Sequence, residues 1–285
     1  MIFQKNILLT GLMLCALCTG FLAHADANPV QEEGIKTYSF GIVPQFGQRK
    51  MFRIWRPILD LLEQKTGFKF NIVGSSKIPV FESKFMAGKY DFAYMNPYHV
   101  LKANSTQKYV PLVRDGGRVL QGVLVVRKDS GIESVDELQG KEVAFPSPNA
   151  LGASLLMRAD LLKLHNVSVI PRYVQTHSAT YLHVALRDTA AGGGVMGTLR
   201  AQKEAVRDNL KIIYKTRRMS PHPIAVHPRV PEQDREKVTQ ALLEIASTEQ
   251  GKALFAAVPI KKAIRASMDD YTEMKSWGLD EFYVN

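Results

Sequence analysis

Ser147, Pro148, Asn149 and Ala150 stand between an apolar run ending at Phe145 and a series of leucines, a spacing that can build a seat for an anion. Ser147 reads as a helix N-cap with Pro148 at the first helical position. The backbone N–H groups of Asn149 and Ala150 would then be unpaired at the positive end of a helix dipole, where negative charge is stabilised. Leu151, Leu155, Leu156, Ala159 and Leu162 recur at helical spacing as the buried stripe. The competing reading is an ordinary capped helix that binds nothing.

Other candidates lie at element ends. His177 precedes a helical stretch with Ala179, Leu182, Ala185 and Leu186 on its buried side. It could donate a hydrogen bond to an anion, with a charge if protonated, or merely cap backbone groups. Gln45 and Lys77 fall in loops after strands, and Lys77 could pair with an anion or simply be solvated. Asn96 and Tyr98 flank Pro97 at a strand end, where they could face a cleft or form a plain turn; Tyr94, within the strand, could be core. His222 and His227 read as exposed histidines around a return ribbon. No His-x-x-x-His helix or acidic cluster offers a metal site, and no cofactor is expected. Gly192-Gly193-Gly194 lacks the Gly-Lys-Ser/Thr of a phosphate loop and reads as a strand with close backbone approach to the cleft. Ser147 with His177 is the one nucleophile–base pair suggested, and no acid stands behind the histidine, which argues against an enzyme.

These residues need elements to hold them. Residues 38–44 read as a first strand, followed by a helix from about Phe52 to Gly67 with Pro57 confined to its first turn. Strands at 68–73, 91–95 and 109–113 continue the pattern, with a helix ending near Gly88. A second series begins at Gly122, with strands at 122–126, 141–145, 168–174, 190–196 and 210–214. Its helices are expected at 134–138, from Ser147, at 178–186 and at 198–207. A return strand at 224–227 and one long helix over 232–255 follow. Strand and helix alternating at this pitch mean right-handed βαβ units in largely parallel sheets, with ligands beyond the carboxyl ends of the strands. Residues 26–36 form a flexible lead, 37–120 the first part of lobe 1, 121–216 lobe 2, and 217–285 the second part of lobe 1 with terminal helices.

Composition sets the address. Residues 1–25 carry Lys5, an apolar core from Ile7 to Leu22 and Ala23-His24-Ala25, the pattern of a cleavable secretory signal. Both cysteines, Cys15 and Cys18, lie within it, so the mature chain would have no thiol chemistry and no disulfide. The expected location is the periplasm. The net charge of +10 drops by one on removal of the signal. Its positive sites are scattered, which speaks against nucleic acid and for small anions.

Several stretches together resemble one family, the periplasmic substrate-binding components of phosphate, phosphite and phosphonate ABC transporters. They are Arg56-Pro-Ile-Leu-Asp-Leu-Leu-Glu-Gln-Lys-Thr-Gly67, Gly88-Lys-Tyr-Asp-Phe-Ala-Tyr-Met-Asn-Pro-Tyr98, Ser134-Val-Asp-Glu-Leu-Gln-Gly-Lys141, Phe145-Pro-Ser-Pro-Asn-Ala-Leu-Gly152, His177-Ser-Ala-Thr-Tyr181 and Asp270-Tyr271. The resemblance implies an α/β fold of the type II periplasmic binding class, a hinged two-lobe flytrap with a mostly parallel sheet flanked by helices in each lobe. It implies an oxyanion gripped by the turn Ser147-Pro-Asn-Ala150, with His177 facing the same pocket and Tyr94 or Tyr98 lining the other lobe. The family turn usually reads Ser-Thr-Ser-Gly, an Asp-Tyr pair often stands where Lys77-Ile78 do, and Ala190 replaces a pocket acid. Those differences argue against an aminophosphonate and for a plain oxyanion, or for a ligand outside the usual set. The implied partner is an inner-membrane ABC permease, or a membrane sensor kinase or cyclase in the alternative reading; a monomer is expected.

Overall fold

The computed structural model describes residues 34–258 and 260–284. The expected signal segment and residues 26–33 of the expected lead lie outside the described residues. Strand β1 (Thr37–Ile42) carries its burial toward its end and enters helix α1 (Gln48–Thr66). On α1, Trp55, Ile58, Leu59 and Leu62 are fully buried at helical spacing, and Gly67 closes the helix at φ 71° with its N–H on Glu63 O. The helix starts four residues earlier than its sequence suggests, so Pro57 sits in the interior and not in the first turn. An interior proline costs about 3 kcal/mol. Four buried side chains, each contributing roughly 1.5–3 kcal/mol, offset it.

Strand β2 (Lys69–Val73), helix α2 (Ile78–Met86), strand β3 (Phe92–Tyr94), helix α3 (Pro97–Gln107) and strand β4 (Val110–Asp115) complete the first run. The chain then crosses to β5 (Gly122–Arg127), a 3-10 turn at Asp136–Leu138, and β6 (Glu142–Phe145). A π-helical turn, Leu151–Leu155, runs directly into α4 (Leu156–His165). After it come β7 (Ile170–Tyr173), α5 (His177–Ala185), β8 (Ala191–Val195), α6 (Met196–Arg200), α7 (Glu204–Arg207) and β9 (Leu210–Lys215). The return consists of β10 (Ile224–Val226), α8 (Glu232–Ser247), α9 (Glu249–Ala257), β11 (Ala263–Arg265) and α10 (Asp269–Thr272), followed by 3-10 turns at Glu273–Trp277 and Leu279–Phe282.

The strands form two sheets, one ordered β11-β4-β10-β3-β1-β2 and the other β7-β6-β8-β5-β9. Around β1 the first is parallel, while β10 and β11 run against their neighbours. In the second, β6 pairs in parallel with β7 and β8, and β5 runs antiparallel to β8 and β9. The two crossovers, β4 to β5 and β9 to β10, are tied by a reciprocal bridge: Leu120 N donates to Met219 O (2.9 Å) and Met219 N to Leu120 O (3.0 Å).

Two expected helices are divided. The stretch 198–207 holds the short α6 and α7. The long C-terminal helix breaks at Thr248, whose extended backbone (ψ 154°) starts α9 and whose hydroxyl oxygen accepts from Gly251 N at 3.0 Å. A Cβ on Gly251 would lie 1.7 Å from Ile245 O, so the corner requires glycine. The triple glycine of β8 is approached closely by other groups: a Cβ on Gly193 would meet Ala153 O at 2.0 Å, and one on Gly194 the Tyr181 hydroxyl at 2.0 Å. The start of the π turn therefore lies directly against the sheet.

Candidate functional site

The interface of the two sheets holds a cavity of about 20 Å³, room for about one water-sized group. The β1 end supplies Val43 and Gln45, the start of α2 supplies Ile78, the end of β3 supplies Asn96, and the crossovers supply Leu120 and His222. From the other lobe come Ala150 to Ala153 at the start of the π turn, Val195 at the end of β8 and His177 at the start of α5. Both sheets thus bring strand ends and a helix start to one point, the position expected for a ligand in open α/β sheets.

Among the described residues no charged side chain lines this cavity. Its polar groups are Gln45, Asn96, His177 and His222, together with the first-turn amides of Leu151, Gly152 and Ala153, which have no intrahelical acceptor. Gln45 Nε2 lies 3.2 Å from His222 Nε2, and His222 stacks on Tyr94 with ring centroids 5.4 Å apart. Burial holds His177 down to about 4 and His222 to about 3, the latter helped by His99 and His177 nearby. Both imidazoles are therefore neutral near pH 7. His177 Nδ1 is buried with no hydrogen-bond partner. Thr176, not His177, caps α5, its hydroxyl oxygen accepting from Ala179 N at 3.1 Å. The histidine is thereby relieved of the structural role that competed with ligand binding.

Of the ligand-binding candidates read from the sequence, Gln45, Asn96, Ala150 and His177 line this cavity, and Lys77, Tyr94, Tyr98, Ser147 and Asn149 do not. Lys77 is exposed and precedes α2. Tyr94 packs against Trp55 and His222 with its hydroxyl 3.5 Å from Val258 O. The Tyr98 hydroxyl donates to Asp280 Oδ1 at 2.8 Å. Ser147 does not cap the helix: Ala150 occupies that position and its N–H bonds Ser147 O at 3.3 Å, while Ser147 Oγ is buried without a partner. Pro148 and the π turn shift the helix start three residues downstream, so the free amides are those of residues 151–153. Leu162, expected in the buried stripe, is 46% exposed. The residue missed by sequence reasoning is His222. It is buried at the cavity and not exposed as expected; its place after a crossover was the available signal.

Asn149 has a different occupation. Its Nδ2 donates to Val284 O (2.7 Å) and to Glu82 Oε2 (3.2 Å), while its Oδ1 accepts from Val284 N (2.9 Å). Glu82 is buried, with Oε1 2.9 Å from His99 Nε2 and 3.4 Å from the Tyr283 hydroxyl. Arg158 on α4 donates to Phe282 O (2.7 Å) and Pro148 O (2.9 Å), and Lys163 pairs with Glu281 at 3.0 Å. On the opposite lobe Lys102 of α3 pairs with Asp280 at 2.5 Å. Residues 280–284 therefore clasp α3 and α2 of one lobe to α4 of the other.

Two sheets joined by paired crossovers, with a cavity where their strand ends meet, define a two-lobe binding protein of the type II periplasmic class. Residues 40–271 match the family model described as "ABC transporter, phosphonate, periplasmic substrate-binding protein", and the chain belongs to that family. It is 24% identical over 237 residues, 78% of this chain and 70% of the other, to the phosphonates-binding periplasmic protein of Escherichia coli. A phosphate-import protein of Mycolicibacterium smegmatis is 23% identical over 197 residues, 63% of this chain and 61% of that one. Among solved structures, a protein from Prochlorococcus marinus in complex with methylphosphonate superposes with a TM-score of 0.78 at 15% identity, covering 87% of this chain and 99% of that chain.

Proposed function

We propose that this chain captures a phosphorus oxyanion between its lobes and delivers it to an inner-membrane ABC permease. The observation that carries the reading is His177: buried at the lobe interface, freed from capping by Thr176, and holding an unpartnered ring nitrogen beside the first-turn amides of residues 151–153. Gln45 and His222 add neutral donors and acceptors, while the Asn96 amide is held by His99 and Asn149 O at the cavity wall. An oxyanion held this way draws on amide dipoles and directed hydrogen bonds in a site shielded from water. Among the described residues no carboxylate faces the cavity to receive a ligand amino group, which favours phosphate, phosphite or a phosphonate without an amino group over an aminophosphonate. Relatives named for phosphonate and phosphate support the same class. A ligand touching both lobes stabilises the closed form by its differential contacts.

The test is a thermal-shift screen of the protein over phosphate, phosphite, methylphosphonate, aminoethylphosphonate, sulfate and nitrate, followed by calorimetry of the hits. A shift confined to the phosphorus species bears the proposal out. Silence from all four, with a clear shift from another anion, replaces the ligand class.

A further inference from the structure

Beside the small cavity, and sharing Gln45, Leu120, Val195 and His222 with its lining, lies a chamber of about 890 Å³. That is the size range of sites for organic ligands of drug or nucleotide scale, far beyond a bare oxyanion. Arg118 and Arg218 reach it from the crossovers, Lys215 from the end of β9, Arg200 from α6, and Lys261 from the loop after α9. None of these five cations has a carboxylate partner or side-chain hydrogen bond among the described residues. Elsewhere charges are commonly paired, as Arg56 is with Glu63 and Asp60, Arg114 with Asp270, and Arg229 with Asp91. Among the described residues the one acid in the chamber lining, Asp115, is fully buried, with Oδ1 accepting from Gly117 N (2.8 Å) and Lys262 N (2.9 Å).

Five unpaired cations around one concavity repel each other in the empty protein, and an anion there relieves that repulsion. The walls also offer apolar area for a carbon framework: Phe46 and Ala257 from one lobe, Met196 from the other, and Val119 on the crossover, 55% exposed. We propose that the chamber is a second anion subsite, and that the ligand is an organic phosphorus compound whose substituent carries a further negative charge. One oxygen of the phosphorus head enters the His177 cavity, which has room for a single water-sized group, and the charged end of the substituent lies in the chamber among Arg118, Arg200 and Arg218. Because Arg200 stands on one lobe and Lys261 on the other, such a substituent adds contacts across the cleft and favours closure. This rests on the head-group reading above.

A matched series separates the two ideas: methylphosphonate, n-butylphosphonate and 4-phosphonobutyrate, the last two of equal reach and differing in a terminal carboxylate. Calorimetry in about 0.1 M salt, where exposed long-range fields are screened over about 10 Å, reads local contacts. The expected result is 4-phosphonobutyrate bound at least tenfold more tightly than n-butylphosphonate. That gap should vanish in the Arg118→Glu, Arg200→Glu and Arg218→Glu variants, with methylphosphonate affinity held within twofold. A gap below twofold in the parent protein, or one surviving all three reversals, overturns the subsite and leaves the head-group reading intact. Failure of all three compounds to bind overturns the subsite, and silence from phosphate and phosphite as well overturns both. The three arginines are exposed, and circular dichroism of each variant confirms that the fold is retained.

Discussion

Gln45 Nε2 meets His222 Nε2 at 3.2 Å, joining the loop after β1 to the second crossover at the rim of the cavity. An amide nitrogen only donates, so with the amide in this orientation the imidazole accepts at Nε2 and carries its proton on Nδ1. Stacking on Tyr94 fixes the ring plane. Replacing His222 with Ala removes both constraints, and ligand affinity should fall about tenfold. Gln45→Ala should lose a smaller factor, since it leaves the stack intact. Calorimetry with the best phosphorus ligand checks the order; equal losses would show that the stack does not matter.

His177 should behave differently from a core histidine. His177→Ala should weaken binding at least tenfold while leaving the unliganded melting temperature within a few degrees, because Thr176 retains the cap. His177→Gln, which keeps a donor, should recover part of the loss. Unchanged affinity in the alanine variant would remove His177 from the site.

The same two histidines predict the acid response of the unliganded protein. Both are held neutral in the fold, at about 4 and about 3, whereas in the unfolded chain they titrate near 6.5. Below about pH 6.5 the unfolded chain binds the extra proton, so stability falls as pH falls. The slope is up to about 1.4 kcal/mol per histidine for each pH unit. The loss ends once pH passes below the folded values. Urea denaturation between pH 7 and 4 should show this decline, and the His177→Gln, His222→Gln double variant should flatten it. A parallel curve for parent and double variant would contradict the prediction.

Asn149 separates ligand binding from lobe clasping. Its amide makes two hydrogen bonds with the Val284 backbone and one with Glu82. Asn149→Ala leaves the buried Glu82 carboxylate one donor short and should cost roughly 1–3 kcal/mol of stability. Deletion of residues 279–285 should cost more, because it also removes the buried Leu279 and the Asp280, Glu281 and Phe282 contacts. Ligand affinity in Asn149→Ala should change less than in His177→Ala. A stable variant that has lost binding would return Asn149 to the ligand site.

Glycine at 193 is a packing requirement. An added methyl at that position would sit 2.0 Å from Ala153 O, a backbone atom of the turn that lines the cavity. Gly193→Ala should therefore destabilise by about 3 kcal/mol and displace the first-turn amides. Denaturation and ligand titration of the same sample should move together.

Much of this arrangement is legible in the sequence. Periodicity places strands and helices, Gly67 marks the end of α1, and strand ends predict the convergence of Gln45 and Asn96. What escapes it is set by tertiary packing. Pro57 looks like a first-turn residue until the burial of Trp55 and Ile58 is seen to hold the helix on both sides. Ser147 looks like a cap because local preference cannot foresee a π turn pressed against a glycine strand. His222 and Asn149 owe their positions to partners 177 and 135 residues away, Gln45 and Val284, a separation no local pattern encodes.

The glycine strand has a consequence for how this protein can change its diet over evolutionary time. Where Gly193 and Gly194 meet Ala153 O and the Tyr181 hydroxyl, one wall of the cleft is built on backbone that tolerates no new side chain. Drift in ligand preference is then channelled toward the opposite wall and the rim, at positions such as Val43, Gln45, Ile78 and Leu120, where a substitution alters size or polarity without unseating a helix. One half of the cleft is an inherited fixture, and the other is where new diets can be tried.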